Sequence, residues 1–206
     1  DCTTATQQDV NVILSGTEGV RVLRMWARDA AGNISSTSQD VSVVLDRISP
    51  SLTLTSLHGG QVVRGGSVTA ITWAATELNP ATNPITLDYT LNNGSTWTTI
   101  AASIADTGTY SWSVPAVDSA AAKVRITMID KAGNSGSVVS ASLFAIDSTA
   151  PTVAISAPIA DATMILASSV SSFTFSGTCS EANQTVTLTG SVSAAASCIG
   201  GTWTVA

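Results

Sequence analysis

The segment Asp29-Ala-Ala-Gly-Asn33 returns as Asp130-Lys-Ala-Gly-Asn134, 101 residues further along the chain. Each copy is followed by alternating apolar residues and then by a short Asp-to-Pro segment, Asp46–Pro50 and Asp147–Pro151, at the same offset. A period of about one hundred residues is the size of one β-sandwich domain. The repeat therefore predicts a tandem array.

Residues 47–147, the middle segment, carry the clearest strand pattern. Apolar and polar residues alternate in seven runs bounded by Gly, Asn, Asp and Pro, which is typical of half-buried β-strands. Asn92-Asn-Gly94 favours a hairpin turn with positive φ. Many short strands at this spacing predict an all-β sandwich domain. Its expected inward-facing residues include Ile71, Trp73, Leu87, Trp112, Val124, Ile126, Phe144 and Ile146.

The flanking segments repeat parts of the middle one. In residues 1–46, Leu23 and Met25 fall on Val124 and Ile126 at the same offset. This segment therefore resembles the back half of a domain, strands E to G, with a first strand around Val10, Val12 and Leu14. Residues 148–206 match the front half, strands A to E. We expect one complete sandwich, residues 47–147, between two partial ones.

Neither half can close a sandwich alone, because each leaves open strand edges and an uncovered inner face. Two explanations remain open. In the first, the sequence is a window on a longer chain, consistent with a mature or internal fragment that begins at Asp1 without a signal peptide. In the second, the front half of one copy accepts the back half of the next, which builds a head-to-tail filament by strand complementation.

The cysteines, the net charge and the apolar runs indicate in what environment the chain works. We predict a disulfide between Cys179 and Cys198, which lie in one unit, with two buried thiols as the alternative; Cys2 is left unpaired in this window. The net charge is −6 and there is no basic stripe, which disfavours nucleic-acid binding. The chain has no run of about eighteen apolar residues, so this segment contains no predicted membrane span.

Catalytic patterns are missing from the sequence. The single histidine, His58, lies in a predicted turn, and no G-x-S-x-G, H-E-x-x-H or P-loop motif occurs. We therefore expect no enzymatic activity. Trp26 falls between the inward positions Met25 and Ala27, on the outward face of its strand, and is the candidate contact surface.

The pattern Asp-x-Ala-Gly-Asn, a strand and then Asp-x-x-x-Pro resembles the tandem bacterial Ig-like repeats of large surface adhesins and biofilm proteins. The resemblance implies Ig-like Greek-key sandwiches, secretion or a bacterial cell-surface location, and a stalk or fibre role. Its implied partners are neighbouring Ig-like domains or other copies of the chain, with any glycan or protein ligand unidentified. A different class of function, an accessory module of a secreted glycan-active enzyme, remains as an alternative.

The resemblance also implies a metal site, because some related arrays bind Ca²⁺ at domain junctions. The corresponding residues here are Asp29, Asp46, Asp130 and Asp147. No other cofactor is expected. Turn chemistry explains the same motif fully without an ion, because Asp can accept hydrogen bonds from turn amides and Gly133 can adopt positive φ.

Overall fold

The computed structural model describes residues 11–36, 38–157, 174–190 and 193–205. Within these ranges the chain is all-β, with sixteen strands and no helix. Contacts divide it into two units, one ending at Asp147 and the other beginning at Ser148.

The first unit begins with a two-stranded hairpin, β1 (Gly19–Met25) and β2 (Gln39–Leu45). The two strands pair antiparallel over their whole length, with Leu23 opposite Val41. Residues 11–18 precede β1 mostly without regular structure, so the strand expected around Val12 and Leu14 does not form there. Val10 lies outside the described residues.

A β-sandwich makes up the rest of the first unit. Its strands are β3 (Ser51–Leu54), β4 (Val62–Arg64), β5 (Val68–Thr76), β6 (Pro80–Thr90), β7 (Thr98–Ile104), β8 (Thr109–Ser113), β9 (Ser119–Asp130), β10 (Ser135–Val139) and β11 (Phe144–Asp147). One sheet has the order β3-β5-β8. The other has the order β4-β11-β9-β6-β7, and β10 also pairs with β9.

Apolar side chains from both sheets fill the space between them, which confirms the predicted sandwich. Ile71 of one sheet and Ile126 of the other are fully buried, and the remaining inward residues predicted from the alternation are buried with them. Trp112 links the layers, because its ring centroid lies 5.4 Å from that of Tyr89 and 6.4 Å from that of Phe144. Aromatic pairs at these distances stabilise a core beyond the area that they bury.

The last strand of the sandwich is split where the sequence predicts one continuous strand. β10 and β11 lie one after the other along the same edge of β9, with a change of register between them. Ser140, in the break, is buried. Its hydroxyl donates to the carbonyl oxygen of Leu57 at 2.6 Å and accepts from the amide of Val124 at 2.9 Å. These bonds satisfy backbone groups that the break would otherwise leave unpaired.

The C-terminal unit contains a sheet of three strands and a hairpin. The sheet has the order β12 (Val153–Ala157), β13 (Phe175–Cys179) and β16 (Thr202–Val205), and the hairpin joins β14 (Thr185–Leu188) to β15 (Ala194–Ser197). Cys179, at the end of β13, is bonded to Cys198, directly after β15, with the Cα atoms 6.1 Å apart. The predicted disulfide is confirmed, and it ties the sheet to the hairpin. Cys2 lies outside the described residues.

A buried tryptophan faces a glycine on the neighbouring strand in both units, but the tryptophan stands on opposite strands of the pair. The pairing of β12 with β13 places Gly177 where Trp73 lies in the sandwich. Trp203 is directly opposite Gly177 and buried over it, whereas Trp73 is opposite Gly108. A Cβ atom on Gly177 would lie 2.6 Å from the Trp203 ring, so the glycine makes room for the indole.

Replacing both Cys179 and Cys198 by Ala should destabilise the C-terminal unit selectively. The disulfide closes a sequence separation of 19 residues, and a loop of this size predicts a loss of about 3 kcal/mol. Hydrogen exchange followed by mass spectrometry should show faster exchange in β13 to β16 and unchanged protection in β9, which serves as the internal control. Equal protection of β13 to β16 in both proteins would contradict the structural role of the bond.

Candidate functional site

The repeated Asp-x-Ala-Gly-Asn segment forms the same closed turn in both copies. In the second copy, Asn134 donates its backbone N–H to Asp130 Oδ1 at 2.8 Å and its Nδ2 to Oδ2 at 2.7 Å. In the first copy, Asn33 makes the same two bonds to Asp29 at 2.8 and 2.7 Å. Gly133 has a φ of 91°, which glycine adopts readily. The motif is therefore a turn held by its own carboxylate.

The second copy of the turn also reaches the linker that precedes the sandwich. Asn134 Nδ2 donates to the carbonyl oxygen of Asp46 at 3.2 Å. Asp130 is only 2% exposed, whereas Asp29 is exposed. Burial acts to raise the pKa of Asp130, but the bonds from Asn134 and the neighbouring turn amides outweigh it, so the pKa is lowered. A buried negative charge thus lies beside the linker at neutral pH.

Asp46 is attached to the sandwich through its side chain as well as its carbonyl oxygen. Its Oδ2 accepts from Asn79 Nδ2 at 2.8 Å, and its Oδ1 accepts from the amide of Ile48 at 3.1 Å. Asn79 follows β5, and its own carbonyl oxygen accepts from the amide of Lys131. The linker is therefore fixed to the end of the sandwich where the β5–β6 and β9–β10 connections lie.

Arg47, the next residue, attaches the linker to the residues that precede the hairpin. Its backbone N–H and its Nε each donate to the carboxylate of Glu18 at 2.9 Å, and its Nη2 donates to the carbonyl oxygen of Gly16 at 2.8 Å. Glu18 and Gly16 directly precede β1. Of these two consecutive linker residues, Asp46 is therefore bonded to the sandwich and Arg47 to the residues before the hairpin.

Three carboxylates meet at this junction. Asp46, Glu77 and Asp130 each place an oxygen within 4.8 Å of the others. Glu77 is oriented by the amide of Asn79, which donates to its Oε1 at 2.8 Å. None of the three takes part in an ion pair with a described Lys or Arg side chain. The junction therefore brings three carboxylates together, none of them ion-paired to a described Lys or Arg side chain.

The structure brings together two of the four aspartates predicted as calcium ligands and adds a residue that the prediction lacked. Asp46 and Asp130 are in the cluster. Asp29 closes only its own exposed turn, and Asp147 ends β11, opposite Arg64 of β4; neither belongs to the cluster. Glu77 is the added member. No local motif marks it, because residues 46, 77 and 130 meet only through the fold.

The spacing of the cluster is compatible with one calcium ion. Calcium binds six to eight oxygens at about 2.3–2.6 Å, so its ligand atoms lie up to about 5 Å apart. The spacing of the three carboxylates falls within this limit. Both oxygens of Asp130 accept from Asn134, and the turn amides of Ala132 and Gly133 also act on this carboxylate. Asp46, Glu77 and Asp130 would hold the ion, which would cross-link the linker to the sandwich.

Trp26, the predicted contact residue, lies directly after β1 and is 60% exposed. Met25, the preceding residue, and Ile34, on the other side of the Asp29 turn, are also exposed. The end of the hairpin that bears the Asp29 turn thus presents apolar side chains to solvent.

Comparison of the chain with protein-family models finds no matching model, and comparison with curated proteins finds no match. Nowhere in the described ranges is there a helix long and apolar enough to cross a membrane.

Calcium should raise the melting temperature of the chain relative to EDTA. At about one hundred times the dissociation constant, a bound ion stabilises the folded state by about 2.7 kcal/mol. Glu77→Gln should remove most of this difference, because it deletes one of three charged ligands. Glu181→Gln is the matched control, since Glu181 belongs to no such cluster among the described residues. Identical melting in calcium and in EDTA would exclude the site.

Proposed function

We propose that this chain is a segment of an extracellular structural or adhesive protein, built from tandem Ig-like sandwiches that act as a stalk or fibre. The observation that carries the proposal is the doubly held linker, in which Asp46 is bonded to the sandwich and Arg47 to the hairpin segment. Such a linker resists bending between successive domains. A stalk needs this property, because it must hold a distal element away from a surface.

The strand order supports the Ig-like part of the proposal. One sheet, β3-β5-β8, corresponds to strands A, B and E of an immunoglobulin-type sandwich. The other sheet, β11-β9-β6-β7, corresponds to strands G, F, C and C′. The parallel pairing of β4 with β11 adds a short strand at the edge of the second sheet.

The linker bonds also give the repeated motif a mechanical role. The Asp130 turn fixes Asn134, and Asn134 fixes the backbone of Asp46. Pro50 is buried at the start of the sandwich and has a restricted φ. Tension along the chain is thus transmitted from the linker into β9, the longest strand of the sandwich, instead of being absorbed by a flexible connection.

The proposed location is supported by the Cys179–Cys198 disulfide, since disulfides persist mainly in oxidising compartments. Antibodies raised against the chain should label intact cells that produce it, and protease added outside should remove the label. Both cysteines should resist alkylation until the protein isolated from these cells is reduced. An intact cytosolic marker is the control, and labelling that requires permeabilised cells would refute the location.

The linker should resist trypsin at Arg47 in the folded chain. Arg47 must leave Glu18 and Gly16 to enter a protease, and Glu18→Gln weakens this attachment. An exposed ion pair contributes up to about 1 kcal/mol, so cleavage after Arg47 should accelerate by up to about fivefold. Asp40→Asn, which releases Arg24 from a similar exposed pair, is the matched control and should not affect Arg47. Mass spectrometry identifies the cut; wild-type cleavage at the rate of the unfolded chain would show an unrestrained linker.

A further inference from the structure

The sandwich is closed along one side and open along the other. On the closed side, Gly136 of β10 lies so near the backbone of Pro50, just before β3, that there is no room for a Cβ atom. On the open side, β7 and β8 end their sheets, and among the described residues each pairs with one neighbour only. A cavity of about 320 Å³, the β7–β8 groove, lies between these two strands. Ligand sites in proteins begin at about this size.

Three aromatic side chains line the groove, Tyr89 of β6 and Tyr110 and Trp112 of β8. Trp112 is buried and is held by its contacts with Tyr89 and Phe144. Tyr89 and Tyr110 are half-buried, so part of each remains accessible. Because Trp112 belongs to the core, the aromatic part of the groove is formed by folding alone and needs no ligand to assemble it.

Trp112 carries an indole N–H for which the described part of the chain supplies no acceptor. The other two buried tryptophans both donate, Trp73 to the carboxylate of Asp106 at 2.7 Å and Trp203 to the carbonyl oxygen of Thr178 at 3.2 Å. Every fully enclosed side-chain nitrogen or oxygen of the described residues has a partner, so the N–H of Trp112 must retain access to solvent. A buried indole N–H usually finds an acceptor, and here a molecule in the groove can supply it.

Hydroxyl groups surround the same groove. Thr98 of β7 and Ser111 and Ser113 of β8 line it together with the two tyrosines. Within the described ranges, none of these five hydroxyls has a hydrogen-bond partner in the protein. A hydroxyl both donates and accepts. No described residue that lines the groove carries a charge, so the groove offers neutral groups that can bond in either direction.

This lining selects the class of ligand. It provides no counter-ion for a phosphate, sulfate or carboxylate group, and a purely apolar ligand would displace water from the hydroxyls without replacing its hydrogen bonds. A pyranose sugar meets both conditions, because its hydroxyls donate and accept while its C–H faces pack on the negative faces of aromatic rings. An added polypeptide strand is disfavoured, since register shifts against β6 and the positive φ of Ser103 interrupt the edge of β7.

We propose that the β7–β8 groove binds a neutral sugar residue of a glycan. The indole N–H of Trp112 donates to a sugar oxygen, the hydroxyls of Tyr89 and Tyr110 bond to sugar hydroxyls, and the aromatic rings pack against the C–H face of the sugar. The groove shares no residue with the linker at Asp46 and Arg47. Glycan binding therefore goes beyond the stalk function, and either can fail without the other.

A glycan array incubated with the fluorescently labelled 206-residue chain tests the ligand class. The array carries neutral oligosaccharides of glucose, galactose, mannose and N-acetylglucosamine, their sialylated and sulfated counterparts, and uncharged extended peptides. We expect binding to members of the neutral set, because the groove has hydroxyls and aromatic rings but no charge. Binding to none of the neutral glycans, to charged glycans only, or to the peptides only would overturn the proposal.

Variants of the groove show whether the glycan occupies it. The double variant Tyr89→Phe with Tyr110→Phe keeps both rings and removes two hydroxyls, so the affinity for the best-bound neutral glycan should fall by about tenfold in titration calorimetry. Thr109→Val is the matched control, because Thr109 lies on the same strand as Tyr110 but outside the groove, and it should bind like the wild type. Equal affinities of the double variant and the wild type would contradict the assignment.

The indole N–H of Trp112 gives a readout that needs no variant. Its ¹H–¹⁵N resonance, assigned by triple-resonance spectra of the wild-type chain, should shift as the same glycan is added. The indole resonance of Trp73 is the internal control, because its N–H is already bonded to Asp106. A spectrum in which the Trp112 resonance stays in place while the glycan binds would put the sugar elsewhere and overturn the proposal.

Discussion

An apolar face of a β-sheet has to be covered by a second layer, and most of this structure follows from how that requirement is met. The sandwich meets it internally, because β3-β5-β8 covers the inner face of the β11-β9-β6-β7 sheet. Burying apolar surface yields about 25 cal/mol per Å², so an uncovered face forfeits much of the driving force for folding.

A second constraint operates at the junction, where a carboxylate is withdrawn from water. A buried charge is costly unless it is hydrogen-bonded, and Asp130 receives donors from Asn134 and from the turn amides. The asparagine that satisfies this charge has a remaining N–H, which it donates to Asp46. Turn formation and linker attachment at Asp46 therefore depend on the same side chain, Asn134.

Much of the fold could be predicted from the sequence, because strand faces depend on local alternation. The buried positions of β5, β6, β8 and β9, and the positive φ of Asn93 and Gly94, follow from neighbouring residues alone. The break at Ser140 could not be predicted, since its hydroxyl is fixed by Leu57, far away in the chain. Glu77 was missed for the same reason: its neighbours Asp46 and Asp130 are assembled only by the completed fold.

Trp73 and Trp203 bear on how the two units keep their strands apart while they fold. Similar adjacent domains can trade strands and become trapped in mixed structures. Here a mixed pair of β5 with β16 would place Trp73 directly opposite Trp203, so that two indoles would compete for a space that holds one. The reciprocal pair of β13 with β8 would set Gly177 against Gly108 and leave a void of indole size, and deleting a buried tryptophan side chain costs about 3–5 kcal/mol. Because the large side chain stands on β5 in one unit and on β16 in the other, both mixed pairs are disfavoured sterically.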